Sequence, residues 1–126
     1  MNMQNLNKKY FFIIVLVVFS DILMQYFMPN KVKNYGASFN LLQNYPLLLT
    51  IISIIAIIIF IYLFINFPED KLPLSLLIAG TLSNLIDRLF LGYIIDYIKL
   101  PYLFTFNLAD LANTIGVIIL IIKLWK

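Results

Sequence analysis

The chain has 126 residues, of which 63% are hydrophobic and 12% charged, and its formal net charge is +3. Its mean hydropathy of +0.96 is typical of an integral membrane protein, and its length predicts a single domain, 1–126. It contains no cysteine and no histidine, which excludes disulfides, thiolate metal sites and the commonest general base. The lysines form no basic stripe, so no nucleic-acid partner is expected.

Four apolar stretches predict an all-α membrane protein with four transmembrane helices, because about 20 helical residues cross a bilayer. The first stretch follows Lys8 and Lys9, as the apolar part of a signal peptide would. However, Asp21 interrupts it and no small-residue cleavage motif follows, so we expect a retained membrane span. The four predicted spans are 10–28, 47–67, 72–93 and 106–125.

The connecting segments differ in character. Segment 29–46 is long, polar and aromatic, and we expect it to form a small extracytoplasmic loop with a β element. Segment 66–71 predicts a tight acidic turn, whereas segment 94–105 is apolar and aromatic. The tyrosines of the latter, Tyr97 and Tyr102 among them, are typical of the lipid headgroup level, so this segment is expected along the membrane interface. A slight lysine bias predicts that both termini are cytoplasmic.

Polar side chains converge at one membrane face if the four spans run alternately up and down. That face takes the ends of the first and third spans and the start of the fourth. A structural interpretation stays open for most of these residues, since aspartates cap helices, intramembrane charges pair, and asparagines bond between helices. The polar set comprises Asp21, Gln25, Asn84, Asp87, Arg88, Asn107, Asp110, Asn113 and Thr114.

Two aspartates are harder to explain as structural. Asp96 lies in an apolar segment that has no need of a carboxylate for solubility, and Asp110 lies at the mouth of the fourth span. Without histidine or cysteine, two carboxylates that share a proton remain as a chemical possibility. One would act as a base on water while the other donates a proton, so an amide would be hydrolysed directly.

Three motifs, in this order and among four spans, resemble those of the lipoprotein signal peptidases, or signal peptidase II. The first is 34–39, Asn-Tyr-Gly-Ala-Ser-Phe, in the first long loop. The second combines 84–88, Asn-Leu-Ile-Asp-Arg, with 91–97, Leu-Gly-Tyr-Ile-Ile-Asp-Tyr. The third is 106–110, Phe-Asn-Leu-Ala-Asp. The resemblance covers essentially the whole chain.

The resemblance implies an aspartic endopeptidase of the bacterial cytoplasmic (inner) membrane whose active site lies at the extracytoplasmic face. Its substrates would be prolipoproteins, cut just before a cysteine that carries diacylglycerol, and its inhibitor would be globomycin. The catalytic pair would be Asp96 and Asp110, with no metal and no cofactor. A monomer in contact with membrane lipid is expected. Residues that would bind substrate or support the pair are Asp21, Asn34, Gly36, Asn84, Asp87, Arg88 and Asn107.

The sequence departs from the family pattern at four places. Gln25 stands where the family usually has lysine, and Ser83 where it commonly has glycine. Leu111 and Asn113 replace a serine and an isoleucine after the second catalytic aspartate. Two rival functions remain open from the residues alone. One is a small proton-coupled carrier or channel subunit. The other is a Mg²⁺-dependent lipid phosphotransferase, although no two of Asp21, Asp87, Asp96 and Asp110 lie i,i+3 or i,i+4 apart.

Overall fold

The computed structural model describes residues 2–37 and 41–126; Ser38 and Phe39 of the first motif lie outside them. Four helices carry most of the chain, and two antiparallel strand pairs lie at one end of the bundle. In chain order the elements are α1 (Met3–Phe27), β1 (Val32–Asn34), α2 (Pro46–Asn66), a 3₁₀ turn (Pro68–Asp70), α3 (Lys71–Leu91), β2 (Ile94–Asp96), β3 (Ile98–Lys99), β4 (Thr105–Phe106) and α4 (Leu108–Leu124).

Local sequence explains where the helices begin and end. Pro46 occupies the first turn of α2, where its missing N–H and fixed φ do no harm. Helix α3 ends at Gly92, whose φ of 82° is left-handed and whose N–H bonds to the Arg88 carbonyl. Helix α4 begins with a capping box, in which the Asn107 side chain accepts from the Asp110 N–H and the Asp110 side chain accepts from the Asn107 N–H. A residue proposed for catalysis is thus also part of a helix cap.

Helix α3 lies at the centre of the bundle and packs against the other three helices. Small residues permit its close approach to α4. A Cβ on Gly80 would lie 2.5 Å from the Asn113 Oδ1 and would also collide with the Ala109 carbonyl, and a Cβ on Gly116 would lie 2.8 Å from the Pro73 carbonyl. By contrast, α1 and α2 expose many large apolar side chains, as surfaces that face lipid do.

Three helical segments of the described chain are long and apolar enough to cross a membrane: Met3–Phe27, Pro46–Asn66 and Pro68–Leu91, the last including the 3₁₀ turn. Helix α4 has 17 residues and is not among them. The prediction of four helices is confirmed, and that of a fourth membrane span stays a prediction. The ends of the helices differ by a few residues from those predicted, most at α1, which begins at Met3 rather than at residue 10.

The predicted β element in the first loop is present as β1, and its partner is distant in sequence. Strands β1 and β2 pair antiparallel, with Val32 opposite Asp96 and Asn34 opposite Ile94. Segment 94–105 was expected to lie along the membrane interface, and its first half packs into the protein. Ile94, Asp96 and Tyr97 are buried against the bundle because strand pairing and hydrogen bonds from α1, α3 and α4 hold them there.

Candidate active site

The β1–β2 pairing places Asn34 beside Asp96. Because Asn34 lies opposite Ile94, and side chains two apart share a face, its amide lies diagonally across from Asp96. The Asn34 Nδ2 donates to the Asp96 Oδ2 at 3.1 Å, and the Asn34 Oδ1 accepts from the Gly36 N–H at 2.9 Å. Asp96 is 2% exposed, and its other oxygen, Oδ1, is buried without a hydrogen-bond partner among the described residues.

Asp110 is held by polar groups on both of its oxygens. The Asn84 Nδ2 donates to its Oδ1 at 3.0 Å and the Asn107 backbone N–H donates to its Oδ2 at 3.2 Å. The Asn107 side chain in turn donates to the Asn84 Oδ1 at 2.9 Å and to the Ile95 carbonyl at 3.3 Å. Two asparagines therefore tie α3, α4 and β2 together around one carboxylate.

Asp96 and Asp110 line the same cavity, of about 360 Å³, at the end of the bundle that carries the strands. Burial raises the pKa of Asp96 to about 7, and the negative charge of Asp110 acts in the same direction, while the hydrogen bond from Asn34 opposes them. The rest of the lining is mainly apolar. The other residues that line this cavity are Asn34, Leu100, Phe104, Thr105, Phe106, Leu111 and Thr114.

A second, smaller cavity of about 170 Å³ adjoins Asp110 and shares Asn34 with the first. Its lining is more polar and includes the Arg88 side chain. Arg88 donates to the Ser53 hydroxyl and to the Gly36 carbonyl, both at 3.1 Å. The remaining lining residues are Ala37, Ser53, Thr81, Asn84, Ile94 and Asn113.

Asp21 and Asp87 line neither of these two cavities and act on the site through hydrogen bonds to neighbouring residues. The Gln25 Nε2 donates to both carboxylates, at 3.3 Å to the Asp21 Oδ2 and at 2.8 Å to the Asp87 Oδ2. The Asp87 Oδ2 also accepts from the Ile95 N–H at 3.2 Å. Gln25, at the position where lysine was expected, bridges the two carboxylates as a neutral donor.

Asp87 and Arg88 are adjacent in sequence but do not form an ion pair with each other. Within residues 2–37 and 41–126 the one ion pair joins Lys123 to Asp70, at the opposite end of the bundle. Asp87 points toward α1 and β2, whereas Arg88 points toward α2 and the first loop. Adjacent helical residues face different neighbours, so each charge is satisfied by a different set of polar groups.

All nine predicted site residues lie at this end of the bundle, and the sequence missed two further ones. Ser53, in α2, accepts a hydrogen bond from Arg88; the available sequence signal was a small polar residue in an isoleucine-rich helix. Tyr97 was expected at the headgroup level, yet it is 4% exposed and its hydroxyl donates to the Asp21 Oδ1 at 2.5 Å. Its position directly after Asp96 was the only available signal.

One known protein family matches almost the whole chain. Residues 2–126 match the family described as Signal peptidase (SPase) II. The chain belongs to the signal peptidase II family. Membership identifies it as a peptidase, and together with its apolar helices it indicates a multi-pass membrane protein.

Individual relatives extend the match. The lipoprotein signal peptidase of Streptococcus agalactiae serotype Ia is 44% identical over 111 residues, covering 79% of this chain and 72% of that protein. That of Caldanaerobacter subterraneus is 37% identical over 103 residues, covering 79% and 71%. A solved structure described as a bacterial membrane enzyme, determined by the in meso method at 2.3 Å resolution, matches with a TM-score of 0.87 and 32% identity over 94% of this chain and 88% of that one.

Proposed function

We propose that this protein is an aspartic endopeptidase that removes the signal peptide of diacylglyceryl-modified prolipoproteins, cutting just before the lipid-modified cysteine. Asp96 and Asp110 are the catalytic pair. The observation that carries the proposal is that these two carboxylates, from a strand and from a helix start, line one cavity, while the buried Asp96 Oδ1 has no hydrogen-bond partner among the described residues.

The two carboxylates stand in different environments, which suits them to different roles. Both oxygens of Asp110 accept hydrogen bonds, an arrangement that stabilises a carboxylate. One oxygen of Asp96 has no hydrogen-bond partner among the described residues, and burial raises the pKa of Asp96 to about 7, so Asp96 can hold a proton near neutral pH. In the resting enzyme Asp110 is therefore the base and Asp96 the acid, and the pair titrates as a unit.

Hydrolysis then needs no covalent intermediate. A water between the carboxyl groups loses a proton to Asp110 as its oxygen bonds to the scissile carbonyl carbon, and Asp96 gives its proton to the carbonyl oxygen. When the C–N bond breaks, the proton on Asp110 passes to the leaving amine nitrogen. Asp96 regains a proton from the hydroxyl of the tetrahedral intermediate as the new carboxyl group forms, so the pair returns to its starting state.

The two cavities suit a lipid-linked peptide. The larger cavity has an apolar wall that includes Leu100, Phe104 and Leu111, and it accommodates apolar side chains of a signal peptide. The smaller one offers donors from Arg88 and Asn84 to peptide carbonyl oxygens. The acyl chains of the substrate would hold its scissile bond at the bilayer surface, which is where a site at the end of a bundle must receive it.

We place the enzyme in the bacterial cytoplasmic membrane with four spans, cytoplasmic termini and the strands outside. Helix α4, at 1.5 Å per residue, is about 26 Å long, close to the roughly 30 Å of the hydrocarbon core. Its end lies beside the start of α3, since Lys123 pairs with Asp70, so α4 traverses the same thickness as α3. The protein acts as a monomer among membrane lipids, and globomycin inhibits it.

The test is to incubate purified protein with a diacylglyceryl-modified prolipoprotein and to determine the mass of the released peptide. Asp96→Asn and Asp110→Asn should each fold yet lose cleavage by at least about 10³-fold, and the double variant should be little worse than either one. Asp70→Asn, at the far end of the bundle, is the matched control and should cleave normally.

Other outcomes would point elsewhere. Near-native cleavage by a folded single variant would overturn the aspartic mechanism and leave a proton-relay role for the carboxylates. Loss of activity on addition of a chelator would favour a metal-dependent reaction, because a carboxylate pair does not need a divalent cation. A released peptide that ends elsewhere than before the modified cysteine would overturn the proposed cleavage site.

A further inference from the structure

Tyr97 connects the two halves of the proposed catalytic pair. Its hydroxyl donates to the Asp21 Oδ1 at 2.5 Å and accepts from the Leu108 N–H at 3.0 Å. Tyr97 directly follows Asp96, and Leu108 is the first residue of α4, two residues before Asp110. One hydroxyl group therefore links the strand that carries the first carboxyl group to the helix start that carries the second.

Ile95, the residue before Asp96, is held by carboxylates that are linked to the acceptor of Tyr97. The Ile95 N–H donates to Asp87, and Gln25 joins Asp87 to Asp21, which is the acceptor for Tyr97. The two residues on either side of Asp96 are thus both anchored to a buried pair of carboxylates on α1 and α3. Of the two anchors, only the Tyr97 hydroxyl bonds also to an N–H of α4.

We propose that Tyr97 is a positioning residue for catalysis, whose hydroxyl acts beside the Asn107–Ile95 bond to set the separation of Asp96 and Asp110 by fastening the start of α4 to the strand segment. This proposal rests on the proposed aspartic mechanism and adds a residue to it. Tyr97 lines neither of the two cavities that meet at Asp110, so its hydroxyl does not contact substrate there. Removal of the Tyr97 hydroxyl should lower kcat and leave KM nearly unchanged.

The link can be cut from either side with little other change. Tyr97→Phe removes the hydroxyl and keeps the ring. Leu108→Pro removes the N–H instead, and proline is well tolerated at the first position of a helix. The preceding residue, Asn107, has an extended backbone, with φ −129° and ψ 177°, as a residue before proline requires. Each variant should lower kcat by about ten- to a hundredfold, the loss typical of a misplacement near 1 Å.

Two controls separate this role from general packing. Ser83→Ala removes another hydrogen bond to Asp21, at 2.6 Å, without touching α4, and Leu108→Ala shortens the side chain but keeps the N–H. Both should retain native kcat. The double variant Tyr97→Phe with Leu108→Pro should be no slower than the slower single variant, because both changes cut the same link.

The width of the pH–rate profile should change if the two carboxyl groups are displaced, but not if a substitution only loosens packing. If the carboxyl groups of Asp96 and Asp110 move apart, they repel each other less and the two apparent pKa values of the pair draw together. The other charged groups near the pair are Asp21 on α1 and Asp87 and Arg88 on α3. Tyr97→Phe removes one hydrogen bond to Asp21, whereas Leu108→Pro leaves the side-chain bonds of all three groups in place, so agreement between the two variants isolates the effect of the separation. Tyr97→Phe and Leu108→Pro should narrow the profile, and both controls should keep its native width.

The experiment distinguishes failure of this proposal from failure of the mechanism. If Asp96→Asn and Asp110→Asn are inactive but Tyr97→Phe and Leu108→Pro both have native kcat, the positioning role is wrong and the mechanism stands. An equal loss in Ser83→Ala would also overturn the positioning role. If Tyr97→Phe does not fold, Leu108→Pro decides alone. Full activity in the aspartate variants would overturn the mechanism itself.

Discussion

Asp96→Asn should make the protein inactive and, at neutral to alkaline pH, more stable. The buried carboxyl group has one oxygen bound to Asn34 and another without a partner among the described residues. Asparagine can keep its carbonyl oxygen toward Asn34, but it cannot ionise. The substitution therefore removes the free-energy cost of holding a negative charge in this site, together with the proton that catalysis needs.

The magnitude follows from the pKa. That of Asp96 is about 7 in the folded protein against 3.8 for a free aspartate, so the folded state binds the proton more tightly. Stability of the native protein is accordingly highest below about pH 4 and falls as the pH rises toward 7. At about 1.4 kcal/mol per pKa unit, the loss above pH 7 reaches roughly 4 kcal/mol as an upper value, since a protein interior relaxes around a charge.

The measurement is thermal unfolding in detergent micelles at a series of pH values from 4 to 8. The melting temperature of Asp96→Asn should match that of the native protein at pH 4 and exceed it by several degrees at pH 8. Asp70→Asn breaks an ion pair with Lys123 and should show no such gain. A melting-temperature difference for Asp96→Asn that is zero at pH 8, or that grows as the pH falls, would refute the reasoning.

Two further predictions concern residues around Asp96 and Asp110, and a third concerns the membrane topology. Asp87→Asn should lower the free energy of unfolding by about 2 kcal/mol while some turnover persists, since it weakens one buried and one partly buried hydrogen bond, and a folded variant without turnover would place Asp87 among the catalytic groups. Gln25→Lys should shift the pH–rate profile to lower pH, because a cation favours ionised carboxylates; an unchanged profile would contradict this. Cysteines introduced at Asn30 and Lys126 should be labelled from opposite sides of the membrane, and labelling of both from one side would refute the topology.

Local sequence was sufficient to predict the helices and the candidate residues. Apolar runs long enough for a bilayer and separated by breakers can form little else than membrane helices, so α1, α2 and α3 followed from composition and length. The start of α4 was also local, because a capping box needs only Asn107 and Asp110 at their fixed spacing. Asp96 and Asp110 stood out since a carboxylate in an apolar segment requires a reason.

Tertiary structure alone decided how these residues meet. The pairing of β1 with β2 joins residues 60 to 64 apart in sequence, and it is this pairing that brings Asn34 to Asp96. Tyr97 was assigned to the membrane interface because an isolated tyrosine in an apolar segment is typical of that level. Its burial depends on acceptors and donors from α1 and α4 that no local pattern reveals. Hydrogen-bond partners of buried polar groups are set by the fold as a whole, so their roles could be found only there.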